Sequence, residues 1–311
     1  MRLPSGHAYL NRLAPTPLVP VILTGAGGVA IWCKLEFLNP SGSTKDRIAR
    51  YILEKAWREE RIGPGSTVVE ASSGSTSIAM ALACAQMGIA FTAVMPEGVS
   101  NERVLIIRAY GGQIRLTAKA DGIRGAIAET ERLARETGAF LPCQFSNPDN
   151  AQAHRTGTAR EILDQLPGGV VDAVVSGVGT GGTLVGLFQG FREGGCQVTP
   201  VVARPVNLVE GSLGGVECCS FSARIPGVVD SVSTIFSPDV LPGLETIEVR
   251  DDEALAATRE LIRLGFPVGP SSGLNYRAAQ LAAARLKPGA QIVTVFPDRM
   301  ERYFSTELFA R

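Results

Sequence analysis

The sequence predicts an α/β protein made of two doubly wound, mostly parallel-sheet domains, and three observations carry that prediction. Short β-branched runs alternate with longer helical segments, Gly and Pro punctuate the junctions, and the strand-like runs suit burial on both faces. The strand-like runs span 67–70, 90–95, 113–116, 173–176 and 291–296. Helical segments are expected over 46–60, 76–87, 100–110, 122–136, 151–165, 184–192, 252–264 and 274–286. Helices alternating with buried strands give parallel pairing, so a ligand belongs between the two halves, at the C-terminal ends of strands.

The junctions follow turn chemistry. Arg61-Ile62-Gly63-Pro64-Gly65 ends a helix, Met95-Pro96-Glu97-Gly98 closes a strand, and Asn147-Pro148-Asp149-Asn150 reads as a turn with an N-cap. No repeat, low-complexity tract or linker interrupts the pattern. The stretch 205–237 has little periodicity and many small residues, the profile of a long irregular segment with a functional use.

Composition narrows the function classes. The 311 residues carry 30 basic and 30 acidic side chains, a formal net charge of zero, which disfavours nucleic acid or an anionic membrane as partner. No apolar run reaches the ~18–20 residues a membrane helix needs, and the N-terminus lacks an apolar core of signal-peptide length, so a cytoplasmic protein is expected. The six cysteines form no C-x-x-C pair and read as free thiols. With two histidines, His7 and His154, and no nucleophile elbow, neither a His-based metal site nor a Ser-His-Asp triad is expected. No metal is predicted. His154 reads as a structural residue.

Four motifs carry chemistry. Asn39-Pro40-Ser41-Gly42-Ser43-Thr44-Lys45-Asp46-Arg47 delivers a lysine to a helix start, where the positive end of the dipole lowers the affinity of an amine for its proton. That suits an amine that must attack an aldehyde. Taken alone, the same letters describe a capped helix with Ser43 or Thr44 as N-cap and a solvated Lys45. Glu70-Ala71-Ser72-Ser73-Gly74-Ser75-Thr76-Ser77 offers hydroxyls and amides to a carboxylate, or simply caps a helix. Ser176-Gly177-Val178-Gly179-Thr180-Gly181-Gly182-Thr183 is a glycine loop fit to cradle a phosphate, or a tight turn. It has no G-K-[ST], and the acid that would bind a ribose about 20 residues on is absent. Gly269-Pro270-Ser271-Ser272-Gly273 places a hydroxyl either at a heterocyclic nitrogen or on a helix cap.

In this order, with Thr16-Pro17-Leu18-Val19, Arg108-Ala109-Tyr110-Gly111, Gln144-Phe145-Ser146-Asn147-Pro148-Asp149-Asn150 and the closing Pro297-Asp298-Arg299-Met300-Glu301-Arg302-Tyr303-Phe304-Ser305-Thr306, the chain resembles the O-acetylserine sulfhydrylase (cysteine synthase) family. These are fold-type II enzymes of pyridoxal 5'-phosphate (PLP), tryptophan-synthase-β-like in fold and related to cystathionine β-synthase. The resemblance implies a larger phosphate-binding domain from 1–40 and 149–311, and a smaller mobile domain from 41–148 carrying the cofactor-bearing lysine. It implies that Lys45 holds PLP covalently and acts as base and acid at the substrate α-carbon. Gly179, Thr180, Gly181, Gly182 and Thr183 would bind the phosphate, Ser271 would face the ring nitrogen as a neutral partner, and Ser75 would contact the cofactor. Ser72, Ser73, Gly74, Thr76 and Gln144 would hold the substrate carboxylate.

The reaction implied is β-replacement on an activated serine by way of an α-aminoacrylate, with sulfide or a related nucleophile, in a homodimer. Two alternatives stand beside it: net β-elimination, as in a cysteine desulfhydrase or serine/threonine dehydratase, and a non-catalytic PLP-fold binding protein. Ser75 stands where the family has Asn, Thr44 where it has Val, and Arg204-Pro205 where it has Glu-Pro. Ile225-Pro226-Gly227 resembles the family's active-site loop, whereas Cys218-Cys219 and Val228-Val229-Asp230 depart from it; leaving group and nucleophile are chosen largely in this region.

Overall fold

Two parallel sheets organise the chain. The computed structural model describes residues 2–7, 15–22, 30–206, 224–225 and 232–309. Strands β3 (Thr67–Ala71), β4 (Ala90–Pro96) and β5 (Gln113–Thr117) form a three-stranded parallel sheet in that order. A six-stranded sheet runs β1-β2-β9-β6-β7-β8, from β1 (Leu18–Val21), β2 (Ile31–Lys34), β6 (Ala173–Ser176), β7 (Thr199–Val206), β8 (Glu245–Arg250) and β9 (Ile292–Val295). Only β1 runs antiparallel to its neighbour. Every residue of the central strands β6 and β9 is buried, as strands covered on both faces must be. Each such Val or Ile stabilises by roughly 1.5–3 kcal/mol. The edge strands β5 and β8 expose alternate or most residues instead.

The five expected strands are present. Sequence reasoning misses β1, β2, β7 and β8: Pro200 and Pro205 punctuate β7 like turn residues, and β8 alternates polar with apolar because it is an edge. The helices are α1 (Lys45–Arg58), α2 (Ser75–Met87), α3 (Asn101–Ala109), α4 (Gly122–Thr137), α5 (Asp149–Ala153), α6 (Ala159–Gln165), α7 (Gly182–Glu193), α8 (Asp251–Arg263) and α9 (Pro270–Ala283). The single helix expected over 151–165 is a correction: α5 and α6 are joined by a π turn, His154–Thr158. Helix α9 opens four residues before its expected start, with Pro270 at its first position, where a missing N–H costs nothing. Helices α1, α2 and α7 likewise open one or two residues before their expected starts. The motifs around Lys45, Ser75, Gly182 and Ser271 thereby all fall at helix N-termini.

Helix α7 lies at backbone contact with the 149–165 segment because its facing positions are glycine. A Cβ at Gly186 would stand 2.2 Å from the Ala151 carbonyl oxygen, and one at Gly190 would stand 2.4 Å from Ala159 Cβ. This contact carries His154 and Asn150 to the glycine loop. Among the described residues no helix is long and apolar enough to cross a membrane, and no group of three or more His, Cys, Asp and Glu is placed to hold a metal. Cys33, Cys84, Cys143 and Cys196 are free thiols. Cys218, Cys219 and most of 205–237 lie outside the described residues.

Candidate active site

Lys45 is the first residue of α1, and a strip of chain from the far end of the sequence fixes the loop before it. Thr44 N–H donates to Pro297 O at 2.8 Å, Ser43 pairs with Asp298 in an antiparallel bridge, and Arg299 N–H donates to Gly42 O at 3.1 Å. Arg302 adds donors to the Ser41 and Gly42 carbonyls. Within the loop, Asp46 accepts from Ser41 N at 3.0 Å and Ser41 Oγ at 2.5 Å, and burial still pushes its carboxyl up to about 6. Thr44 is the N-cap residue but makes no side-chain cap; its hydroxyl is buried without a partner. Two residues on, Arg47 grips Glu36 and Glu161, tying α1 to the large sheet. Burial opposes the Glu36 charge, but Arg47 outweighs it and holds the carboxyl at about 2.

The Lys45 side chain is half-buried, and its amine makes no hydrogen bond or ion pair with any described residue. Desolvation lowers its proton affinity below that of an ordinary lysine, while the Asp298 carboxylate pulls the other way. A lysine held this way gives up its proton more readily than a solvated one, which suits a nucleophile or base.

The hydroxyl-rich loop runs from β3 into α2. Ser73 is exposed, Ser75 half-buried, and Ser72, Gly74 and Thr76 are buried. Ser72 Oγ accepts from the Gly74 and Ser77 amides at 3.0 and 3.3 Å, so its oxygen shapes the turn as well as facing the loop. Thr76 Oγ1 donates to Gln144 Oε1 at 2.6 Å, and Gln144 Nε2 donates to Ala71 O at 2.5 Å. Below them Glu70 accepts from the Ala71 and Gln144 amides, and burial raises its carboxyl to about 8. It is therefore mostly protonated at neutral pH and adds little negative charge to the hydroxyl-rich loop.

The glycine loop enters α7 with Gly181 at φ +81°, where a Cβ would strike Phe236. Gly177 N–H donates to Asn275 Oδ1 at 2.7 Å. Thr183 Oγ1 lies 3.2 Å from His154 Nε2, and His154 Nδ1 lies 3.0 Å from Thr158 Oγ1. Burial drives the imidazole down to about 3, so it is neutral and orients the Thr183 hydroxyl without adding charge. His154 thus holds a site residue in place from within a π turn, a more particular role than a helix start.

Asn150 joins the two loops. Its Nδ2 donates to Gln144 O at 2.8 Å and to Thr180 Oγ1 at 2.9 Å. One amide therefore ties Gln144, the partner of the hydroxyl-rich loop, to the glycine loop. Ser271 lies half-buried in the first turn of α9, and its neighbour Ser272 is fully buried with an unpartnered hydroxyl. Asp298 backs this turn: its carbonyl accepts from Gly269 N–H at 2.9 Å, and its Oδ2 accepts from Tyr303 Oη at 2.6 Å and Ser75 Oγ at 3.3 Å. Glu70, Asn150, Asp298 and Tyr303 are the members that sequence reasoning does not assign as site residues. Their letters stand within or beside the motifs, but their partners come from distant segments.

These residues fit a phosphorylated aromatic aldehyde. A glycine loop at a helix N-terminus suits the phosphate, a desolvated amine suits the aldehyde, and serine hydroxyls at the α9 turn suit a ring nitrogen. The family model described as pyridoxal-phosphate dependent enzyme matches residues 10–298. Cysteine synthase B of Campylobacter jejuni is 37% identical over 296 residues, 94% of this chain and 95% of that protein. A hydrogen sulfide-producing enzyme of Fusobacterium nucleatum superposes with a TM-score of 0.87 at 33% identity, covering 98% of this chain and 92% of its own. The O-acetylserine dependent cystathionine β-synthase of Helicobacter pylori superposes with a TM-score of 0.84 at 32% identity over the full length of both chains. The chain belongs to the family of pyridoxal-phosphate dependent enzymes.

Proposed function

We propose that this enzyme carries out β-replacement on an activated serine, of the O-acetylserine or O-phosphoserine type, using sulfide or a related small nucleophile to give L-cysteine or an analogue. The observation that carries the reading is the Thr76–Gln144–Asn150–Thr180 bridge, which ties the hydroxyl-rich loop to the glycine loop by hydrogen bonds, as a site for a substrate carboxylate beside a cofactor phosphate needs. The relatives support it: a cysteine synthase, and an enzyme that uses O-acetylserine.

Pyridoxal phosphate, when bound, supplies an aldehyde for the substrate amine and a ring that withdraws electrons from the α-carbon. The rest is the work of this chain. Gly179, Thr180, Gly181, Gly182 and Thr183 hold the phosphate with helix-start amides and hydroxyls. Ser271 would face the ring nitrogen as a neutral partner, which would leave the ring a modest electron sink suited to β-chemistry. Ser72, Ser73, Gly74, Thr76 and Gln144 hold the α-carboxylate. Lys45 Nζ, poorly solvated, anchors the cofactor, takes the α-proton and returns it. The smaller segment, 41–148, closes over the carboxylate and excludes water.

Net β-elimination is the second reading. Ser75, shorter than the family's Asn and engaged with Asp298, favours it, as does the likeness to a hydrogen sulfide-producing enzyme. Assaying cysteine formed from O-acetylserine and sulfide against pyruvate and sulfide released from cysteine separates the two. Dominant cysteine formation supports replacement, and dominant pyruvate release overturns it. A homodimer and a cytoplasmic location complete the proposal; light scattering on the purified protein tests the first and fractionation the second.

A further inference from the structure

Arg103 is a charged side chain at the hydroxyl-rich loop that has no assigned task. It stands in the first turn of α3 and is 7% exposed. Its buried Nε meets no acceptor, and among the described residues no carboxylate pairs with its guanidinium. A buried cation without an anion is costly, and a protein keeps one where an anion comes to share the space. The Tyr303 ring, 5.1 Å from Arg103 Cζ, offsets part of that cost without neutralising the charge. The stem runs against Gly74: a Cβ there would stand 2.2 Å from Arg103 Cδ and 2.6 Å from its Nε, so the missing side chain is what lets the arginine reach the loop. The first turn of α3 is in turn seated on the closing segment. Ser100, its N-cap residue, makes no cap and donates its hydroxyl to Arg302 O at 3.0 Å. Glu102, next to Arg103 in sequence, accepts instead from Ser305 N–H at 3.0 Å and Ser305 Oγ at 2.9 Å. The loop that Arg103 touches brings neutral groups: the hydroxyls of Ser72, Ser73, Ser75 and Thr76, the Gln144 amide, and a Glu70 carboxyl that burial keeps mostly protonated.

We propose that Arg103 is the counter-charge of the substrate α-carboxylate, a positioning residue that acts through the 72–76 loop and makes the site select a free amino acid. The hydroxyls and amides of the loop take the hydrogen bonds and fix the orientation of the carboxylate. Arg103, packed on Gly74 and held there by the Tyr303 ring, supplies the positive charge that neutral donors lack. Shielded from water, a charge so placed favours an anion over a neutral group of the same shape. A substrate amide or ester would leave Arg103 unbalanced, and the site discriminates against it for that reason. The inference rests on the reading of residues 72–76 as the carboxylate loop.

The test is a titration of the purified holoenzyme with L-serine and with L-serinamide, followed by the shift in visible absorbance rather than by turnover. The parent should prefer L-serine. Arg103→Met and Arg103→Gln, two neutral replacements of which one is apolar and one polar, should bind L-serine at least about tenfold more weakly while L-serinamide binding stays within about twofold of the parent. Arg103→Lys, which keeps the charge, should retain part of the preference. Loss of packing alone would weaken both ligands alike, so equal losses, or an unchanged preference in the neutral variants, overturn the proposal. Thr76→Val, which alters the loop itself, separates this failure from that of the reading beneath it. A preference reduced in Thr76→Val but kept in the neutral Arg103 variants overturns the proposal alone. A preference kept in all of them, or absent from the parent, overturns the carboxylate-loop reading as well.

Discussion

The two sides of the site are built on opposite electrostatic plans. On the phosphate side every described contact is between neutral groups: His154 with Thr183 and Thr158, Asn150 with Thr180 and Gln144, Asn275 with Gly177. The imidazole is driven down to about 3, so this side stays neutral throughout the working pH range and leaves the field of the loop to an anion. On the lysine side the groups are ionisable and, among the described residues, incompletely paired: Lys45 half-buried without a partner, Asp298 with one bare oxygen, Arg103 with a buried Nε that meets no acceptor. A satisfied network rigidifies, whereas an unsatisfied one stores the ability to change protonation. Satisfied neutral groups thus line the glycine-loop side, and ionisable, incompletely paired groups line the lysine side.

Breaking the lysine side should have the largest effect. Lys45→Ala removes the base and the anchor, and turnover should fall by at least about 10²–10⁴-fold while thermal stability is kept. Steady-state assays with a melting curve on the same sample check this. Next comes the phosphate side, where Gly182→Ala forces a Cβ to within 1.9 Å of Asn150 Oδ1. Cofactor affinity should drop and the melting temperature fall together, read by equilibrium dialysis against added cofactor and by calorimetry.

Asn150→Ala sharpens the comparison, because it cuts an amide that connects Gln144 to Thr180 of the glycine loop. Leaving Gln144 O and Thr180 Oγ1 unpaired should cost about 1–3 kcal/mol. Both substrate KM and cofactor affinity should weaken, where a residue serving one loop would move only one of them.

Most of the site's outline is legible in the sequence, since its chemistry demands small and hydroxyl-bearing residues at helix starts and those leave letters behind. That Lys45, the glycine loop and Ser271 stand at helix starts is readable for that reason. The bridging residues are not. Asn150 reads as a cap in a turn, yet it spends its donors on Gln144 and on Thr180, 30 residues away; Asp298 meets Ser75 across 223 residues. Such partners are fixed by packing, which periodicity does not encode. The π turn at His154–Thr158 hides for a similar reason: it is a slip in hydrogen-bond register inside an otherwise regular helical pattern. Strands β7 and β8 hide because proline and edge exposure erase the signature of a buried strand.

The smallest predicted effect is a pH dependence. Glu70 has its folded carboxyl raised to about 8 by burial, above the unfolded value near 4.3. The protonated form is favoured in the fold, so its stabilisation is complete below about pH 4.3 and is lost as pH rises through about 8. Glu70→Gln should not lose it. The gap in melting temperature between Glu70→Gln and the parent should widen in favour of the variant from pH 5 to pH 8. A gap that stays constant would show the carboxyl to be unperturbed.

The reading of the lysine side as the reactive one turns on Lys45 bearing the cofactor. Reduction of the holoenzyme with borohydride, followed by proteolysis and mass spectrometry, tests that most directly. The account predicts a cofactor adduct on the peptide containing Lys45 and on no other lysine peptide. An adduct elsewhere, or an unmodified Lys45 peptide from a fully reduced holoenzyme, would contradict it.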